Sequence, residues 1–241
     1  MQVPGTNPVA QGTYQNSRAQ FYPLQNLSDS MKIRPFISLM AGLVLTAMAS
    51  AQSPVTRSLS AFDQIAISGG FDAIILQEGS SESVSLDVSG IDADKIITEV
   101  KGNTLEIGMK KGNYKSFKAR ITVTYRNLHR IANSGSSDIE ATSVLKGDKF
   151  EIASSGSGDF KGAFDVKDLN IAISGSSDMA LKGKADNQAI KISGSGDILA
   201  SDLKGSQASV AISGSGDVKL GVDGPVRTAV SGSGRVTSNK K

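Results

Sequence analysis

The chain has 241 residues, of which 39% are hydrophobic and 20% are charged, with 26 glycines and 12 aromatic residues. This composition is typical of one globular domain or of an elongated repeat protein. The 26 basic and 23 acidic residues give a net charge of +3 without any long basic run, so nothing indicates a nucleic-acid partner. There is no cysteine, and the fold must therefore be stabilised without disulfides.

The first 51 residues have the character of a leader and not of a folded domain. Residues 1–30 are polar and aperiodic, and we expect translation to start at Met31, with a disordered upstream extension as the alternative. Residues 31–51 combine a basic start, an apolar stretch too short for an ordinary membrane span and a small-residue ending. They predict a signal peptide cleaved after Ala51. The mature chain, 52–241, is then exported to the periplasm, the cell surface or the medium, without a transmembrane segment.

Residues 58–130 alternate apolar and polar side chains over short segments separated by glycine-containing turns. The clearest strand patterns are ESVSLDV and ARITVTY. We expect irregular, longer coils here, with large side chains that fill and cap this end, because no aromatic residue follows Phe164.

A five-residue motif, SGSGD or a close variant, recurs in residues 131–236, and a divergent copy, SGGFD, stands at 68–72. Self-similarity at about 20 residues is typical of a stacked array in which neighbouring coils bury each other's faces. The first serines of the regular copies are 21, 19, 19, 20 and 18 residues apart: Ser134, Ser155, Ser174, Ser193, Ser213 and Ser231.

Each motif lies between two segments with the alternation of a strand, and an apolar residue follows every regular copy directly. Helical periodicity is absent. The pattern predicts an all-β fold, a single-stranded parallel β-helix (a solenoid) with coils of about 20 residues. We expect one core column to consist of Ile131, Ile152, Ile171, Ile190 and Val210.

The motif can be interpreted as a corner or as a site. In a corner, glycine supplies positive φ, serine hydroxyls bond to nearby backbone or to each other, and aspartate accepts N–H groups in an Asx turn. In a site, stacked aspartates repel unless they are hydrogen-bonded, protonated or bridged by cations such as calcium. We expect Arg235, which replaces the last aspartate, to neutralise the end of that column. The candidate calcium ligands are Asp138, Asp159, Asp178, Asp197 and Asp217.

Catalytic constellations are scarce. The only histidine, His129, has neither a cysteine nor a second histidine beside it, so a transition-metal site is not predicted. Two aspartates on adjacent coils would match the ~5 Å separation of a retaining glycosidase pair, and a β-helix polysaccharide-active enzyme stays an alternative. The column is uniform, however, and nothing differentiates the acidity of its members. We therefore predict no catalytic residue, no enzyme activity and no cofactor except possible calcium.

Three motifs appear together in order: FDQIAISGGFDAIIL, ITEVKGNTLEIG and the SGSGD series. Over residues 58–236 they resemble the putative autotransporter-adhesin head GIN domain, a domain of unknown function in exported proteins of Bacteroidota. The resemblance implies a right-handed, single-stranded parallel β-helix in the periplasm or at the cell surface. It carries over no catalytic residues. Many members are lipoproteins, whereas this chain lacks the cysteine that such an anchor requires.

The sequence thus predicts a non-catalytic, exported β-solenoid that acts as an adhesin or as a binding or structural protein of the cell envelope. One hypothesis is a glycan or protein partner on a flank or on the loops within 77–119. The segment GMKKGNYKSFK, with its lysines and Tyr114, is the preferred candidate. The other hypothesis is self-association, end to end or side by side.

Overall fold

The structure is a computed structural model that describes residues 53–239. The predicted upstream extension and signal peptide lie outside the described residues. Within 53–239 there are sixteen strands, one short turn of 3-10 helix (Ala93–Lys95) and no α-helix, and no segment of this range is a helix long and apolar enough to span a membrane. The strands are β1 (Val55–Ser58), β2 (Gln64–Ser68), β3 (Ala73–Glu78), β4 (Ser83–Ser89), β5 (Ile96–Lys101), β6 (Thr104–Met109), β7 (Lys118–Tyr125), β8 (Arg130–Asn133), β9 (Ile139–Ser154), β10 (Phe160–Ile173), β11 (Met179–Gly194), β12 (Ile198–Gly205), β13 (Gln207–Gly214), β14 (Val218–Val222), β15 (Val226–Gly232) and β16 (Val236–Ser238).

The strands stack into a β-solenoid of about 5 turns with coils of about 20 residues, which confirms the predicted fold class. The long strands β9, β10 and β11 each run from one SGSGD corner to the next and bend on the way. Their first and second halves therefore lie on different faces of the solenoid. The right-handed winding that the family resemblance implies stays a prediction.

Two faces meet at the SGSGD corners. Face A consists of β1, β4, β7 and β3, the first halves of β9 to β11, and β12, β14 and β16. Face B consists of β5, β6, β2 and β8, the second halves of β9 to β11, and β13 and β15. Neighbouring strands on a face are hydrogen-bonded in the order given, so each face presents columns of aligned side chains.

The unequal coil lengths are absorbed at one place in each coil. Phe160 pairs with Ile139, 21 residues earlier, whereas Ile173 pairs with Ser154, 19 residues earlier, and the register shifts between Lys161 and Ala163. Shifts occur at the equivalent point between β11 and β12 and between β12 and β14. No shift separates β10 from β11. The corners therefore stay aligned because the spacing differences fall in the part of each coil that follows the corner on face A, which we call the return segment.

The predicted core column is confirmed. Its five members, from Ile131 to Val210, are each at most 4% exposed, and fully burying a side chain of this size contributes roughly 1.5–3 kcal/mol. A second buried column follows the corners directly and consists of Ile139, Phe160, Met179, Ile198 and Val218. Phe150 and Phe160 both pack on Phe164, at ring centroid distances of 5.5 and 6.1 Å.

The N-terminal part combines antiparallel strand pairs with an altered order of coils. β4 pairs antiparallel with both β1 and β7, and β5 pairs antiparallel with β6. The coil made of β2 and β3 is inserted between the coil of β6 and β7 and the coil that begins with β8. In this part the coils do not stack in the order of the sequence, because β8 passes to the far side of β2 instead of stacking on β6.

The last coil within the described residues has an exposed outer side. Val230 of β15 is 43% exposed, whereas Ile212, its neighbour at the same position of β13, is 2% exposed. Lys240 and Lys241 lie outside the described residues.

Close stacking of the backbone explains why glycine recurs at the corners. A Cβ placed on Gly175 would lie 2.2 Å from the carbonyl oxygen of Gly156 in the preceding coil. Positive φ, which we predicted as the reason for glycine, occurs at some corners, for example at Gly232 (φ +127°), but not at Gly175. The lack of space for a Cβ between coils therefore explains the corner glycines more generally than positive φ does.

Gly175→Ala tests this requirement. The methyl group cannot fit without separating two coils, and we expect the free energy of unfolding to fall by about 1–3 kcal/mol, as for other overpacked sites. Gly70→Ala is the matched control, because a Cβ on Gly70 meets nothing within 4 Å. Urea unfolding followed by circular dichroism measures both. Equal stability of the two variants would contradict the stacking argument.

Candidate functional site

The aspartates of the corners form a hydrogen-bonded column, which we call the aspartate ladder: Asp138, Asp159, Asp178, Asp197 and Asp217. In each case Oδ1 accepts a hydrogen bond from the backbone N–H at the same position of the next coil, at 2.7–3.1 Å. The bonds run between coils and not within one corner, so the Asx-turn prediction was wrong. This ladder satisfies one of the three conditions under which stacked carboxylates are tolerated.

The end of the ladder is satisfied by backbone. The N–H of Arg235 donates to Oδ1 of Asp217 at 2.8 Å. The ion pairs found within residues 53–239 include none between the Arg235 guanidinium and an aspartate of the ladder. Arg235 thus continues the ladder through its main chain, whereas we had predicted that its charge would neutralise the end.

Buried serines make further bonds across the coils. Ser137 and Ser177 are fully buried at the fourth position of their motifs, and each donates its hydroxyl to a glycine carbonyl of the preceding coil at 3.2 Å. Ser177 also bonds to the hydroxyl of Ser154 at 2.6 Å. Where the fourth residue is glycine, as at Gly158, a Cβ would meet the carbonyl oxygen of Ser137 at 2.0 Å. The motif therefore holds neighbouring corners together.

The only histidine lies away from the aspartate ladder. Nδ1 of His129 lies 3.8 Å from Oδ2 of Asp63, and the histidine is half exposed on the opposite side of the solenoid from the corners. Within residues 53–239 no group of three or more histidine, aspartate or glutamate side chains could hold a metal ion. The carboxylates of the aspartate ladder are mostly exposed and therefore accessible to a cation. Calcium binding by the ladder stays a prediction.

One corner departs from the repeat and carries a cluster of lysines. The chain between β6 and β7 makes an eight-residue loop where later coils have SGSGD. We call residues 110–118 the basic loop; its exposed cations are Lys110, Lys111, Lys115 and Lys118. None of these four lysines takes part in an ion pair with another residue of 53–239.

Aromatic side chains give the basic loop a fixed shape. The rings of Tyr114 and Phe117 meet edge to face at 6.4 Å, and the Tyr114 hydroxyl donates to the carbonyl of Lys110 at 3.1 Å. Gly112 lies directly under the Tyr114 ring, where a Cβ would be 2.6 Å from the ring. A cleft of about 320 Å³ separates the loop from the divergent corner at residues 70–72.

The outward side of face B forms a long shallow groove of about 1040 Å³. Two columns of small residues line it, one of alanines and one of the first serines of the corners. In the sequence, the residues that line the groove are the small residues that alternate with the buried isoleucines. That alternation predicted strands, but it did not lead us to predict a groove. Lys191 stands in the alanine column at a position where the neighbouring strands have alanine.

A buried tyrosine lies at the side opposite the corners. Tyr125 is 3% exposed, and its hydroxyl has no hydrogen-bond partner within the described residues. Burial, together with the charge of Glu78 nearby, raises the pKa of Tyr125 to about 12. Sequence reasoning missed this residue, because the alternation of ARITVTY indicates its burial but not the lack of a partner for its hydroxyl.

A family comparison accounts for this architecture. Residues 61–241 match the family model described as "Putative auto-transporter adhesin, head GIN domain". The chain belongs to this family. The resemblance drawn from the sequence motifs is therefore confirmed, and the head GIN domain accounts for the described coils.

Solved structures share the fold of this head GIN domain. A putative adhesin from Bacteroides fragilis is 22% identical with a TM-score of 0.65, and the match covers 78% of this chain and 98% of that one. A putative adhesin from Parabacteroides merdae is 18% identical (TM-score 0.59), with 78% and 96% of the two chains covered. A protein named putative lipid binding protein, from Parabacteroides distasonis, is 21% identical (TM-score 0.57; 78% and 98% covered). No curated protein matches the sequence.

The aspartate ladder can be tested at its centre. Asp178→Asn keeps an Oδ1 acceptor for the N–H of Asp197, and we expect the free energy of unfolding to stay within about 0.5 kcal/mol of wild type. Asp178→Ala removes the acceptor and should cost about 0.5–1.5 kcal/mol. Urea unfolding in EDTA and in calcium measures both effects. Stabilisation by calcium that Asp178→Asn reduces would support a cation site, and equal losses in the two variants would contradict the role of Oδ1.

Tyr125→Phe tests the buried hydroxyl. Between pH 10 and 12 the unfolded chain loses the tyrosine proton while the native state keeps it, so the free energy of unfolding falls as pH rises. The two-unit rise in the pKa corresponds to a loss of about 3 kcal/mol. We expect the phenylalanine variant to lack this part of the alkaline slope and to be at least as stable at pH 8. Tyr114→Phe is the control and should keep the wild-type slope; a wild-type slope in Tyr125→Phe would disprove the assignment.

Proposed function

We propose that the protein is an exported, non-catalytic adhesin that binds an anionic polysaccharide through the basic loop. The observation that carries the proposal is the cluster of four exposed lysines around Tyr114, none of which has an ion-pair partner among residues 53–239. It stands at a corner where the chain makes an eight-residue loop in place of the five-residue SGSGD motif.

The chemistry of the loop fits acidic sugars. Ammonium groups attract carboxylate or sulfate groups over about a Debye length, and this attraction speeds encounter with a charged polymer. The cleft beside Tyr114 offers an aromatic edge and the backbone of residues 70–72 to a sugar ring. The interaction is exposed, so we expect it to weaken steeply as salt is added.

Export and the absence of catalysis are part of the same proposal. The predicted signal peptide and the name of the family both support a location outside the cytoplasm. The aspartates of the ladder have equivalent partners from coil to coil, which disfavours a differentiated acid and base pair. A scaffold whose repeated carboxylates bond to backbone is consistent with a binding protein.

The test compares binding of the protein to polygalacturonate, which is carboxylated, and to neutral dextran by isothermal titration calorimetry. We expect salt-sensitive binding to the carboxylated polymer alone. Changing the four lysines of the basic loop to glutamine should reduce the affinity at least tenfold. The matched control makes the same change in net charge on face A, at Lys161, Lys182, Lys204 and Lys219, which are exposed.

The control variant should bind like wild type. If both variants lost affinity equally, net charge alone would explain the loss, and a specific role of the basic loop would be contradicted. Absence of binding to every carboxylated or sulfated polymer tested would overturn the proposed ligand class.

A further inference from the structure

On the outward side of face B, the charged and polar residues of the six strands from β6 to β11 follow a palindromic order. Six neighbouring strands, β6, β2, β8, β9, β10 and β11, contribute one residue each to the central column of the groove. Over these six strands the column has an acidic residue at one end, a basic residue at the other and four alanines between; beyond them it continues with Glu99 of β5 on one side and with Ala211 and Ala229 of β13 and β15 on the other. In strand order the six residues are Glu106, Ala66, Ala132, Ala153, Ala172 and Lys191.

The flanking columns have the same symmetry. The column two residues earlier in each strand consists of Thr104, Gln64, Arg130, Glu151, Asn170 and Ala189. Its two central members have opposite charges, and an amide lies on each side of them. The column two residues later contains glycine and then only serines: Gly108, Ser68, Ser134, Ser155, Ser174 and Ser193.

We propose that a second copy of this chain covers face B, in a dimer whose twofold axis runs parallel to the strands between β8 and β9. This axis reverses the order of strands and leaves each column opposite itself. Glu106 then faces Lys191 of the second copy, Arg130 faces the second copy's Glu151, and Ala132 faces its Ala153. Each of these contacts occurs twice, as an isologous interface requires.

The charges of a single copy leave this pattern incomplete. Lys191 has no ion-pair partner within residues 53–239, whereas Glu106, which lines the same groove, already pairs with Lys101 of its own copy. The Lys191 of a second copy would add a second cation to Glu106. Arg130 and Glu151 already pair at 2.7 Å on adjacent coils. The second copy would extend this pair into a network of four alternating charges. Electrostatic complementarity of this kind fixes the register of an interface.

The dimensions of face B suit a modest dimer. The eight strands from β5 to β13 span about 34 Å at ~4.8 Å per strand, and about six residues along each strand span about 20 Å. The projected area of roughly 700 Å² per copy is close to the ~800 Å² per partner of a standard interface. Alanine and serine side chains let the two sheets approach closely, so that the longer side chains of the flanking column can pair.

The dimer would present two binding loops together, a consequence that rests on the proposed function. An axis parallel to the strands keeps both SGSGD edges on the same side. The two basic loops would then point in the same direction, about 24 Å apart along the solenoid, which is five strand spacings. Two linked sites on one polymer chain raise the apparent affinity through effective concentration.

Sedimentation velocity of the protein over a range of concentrations, without polysaccharide, tests the dimer independently of the proposed function. We expect a concentration-dependent monomer–dimer equilibrium that weakens with salt. Lys191→Glu and Glu106→Lys each replace two attractions by two repulsions, and each should raise the dissociation constant about tenfold or more. An equimolar mixture of the two variants restores both attractions and should form heterodimers.

The double variant Lys191→Glu/Glu106→Lys should dimerise like wild type for the same reason. The matched controls are Lys182→Glu and Glu140→Lys, which change exposed charges on face A and should leave the equilibrium unchanged. A monomer at every concentration would overturn the proposal. So would single variants that associate like wild type, or a mixture that shows no recovery.

Discussion

Direct contact between the backbones of successive corners is the constraint on which the rest of the solenoid depends. Glycine stands on glycine from Gly69 through Gly135 and Gly156 onward, at separations that leave no room for a Cβ. This contact sets where each coil turns, and the parallel ladders on both faces then follow at the usual strand spacing. Because the corners cannot shift, differences in coil length must appear elsewhere, and they do so in the return segments.

Stacking at this distance brings like charges together, and the structure resolves the conflict with hydrogen bonds. Backbone N–H groups at the corner need acceptors, and the Oδ1 atom of the aspartate one coil earlier lies at the right distance. One hydrogen bond per coil thus compensates for the repulsion between the stacked carboxylates. The second carboxylate oxygen stays available to solvent or to a cation, so the scaffold interpretation and the calcium hypothesis do not exclude each other.

Sequence reasoning predicted the regular coils because each column repeats the same chemistry. The isoleucines from Ile131 to Ile190 and the apolar residue after each motif decide the face, the period and the class of fold. It could not predict the order of the first coils, because pairing of β2 with both β6 and β8 is a long-range choice that no local pattern contains. The cross-coil acceptor of each aspartate was also hidden, since the same residues suit a local turn.

Departures from the repeat carry the functional argument. A column that is uniform over many coils shows what stacking requires, so a residue that breaks the column without aiding the fold calls for another explanation. Lys191 interrupts a run of alanines that would pack equally well without it, and the basic loop replaces a corner that five residues can make. The aspartate at the last corner can be lost because the N–H of Arg235 still completes the ladder. The loss of the aspartate at the last corner, where Arg235 stands, and the presence of Lys191 on face B therefore have different explanations. Lys191 introduces a charge that its own chain leaves unpaired within the described residues, between alanines of the neighbouring strands and without any part in the backbone ladder.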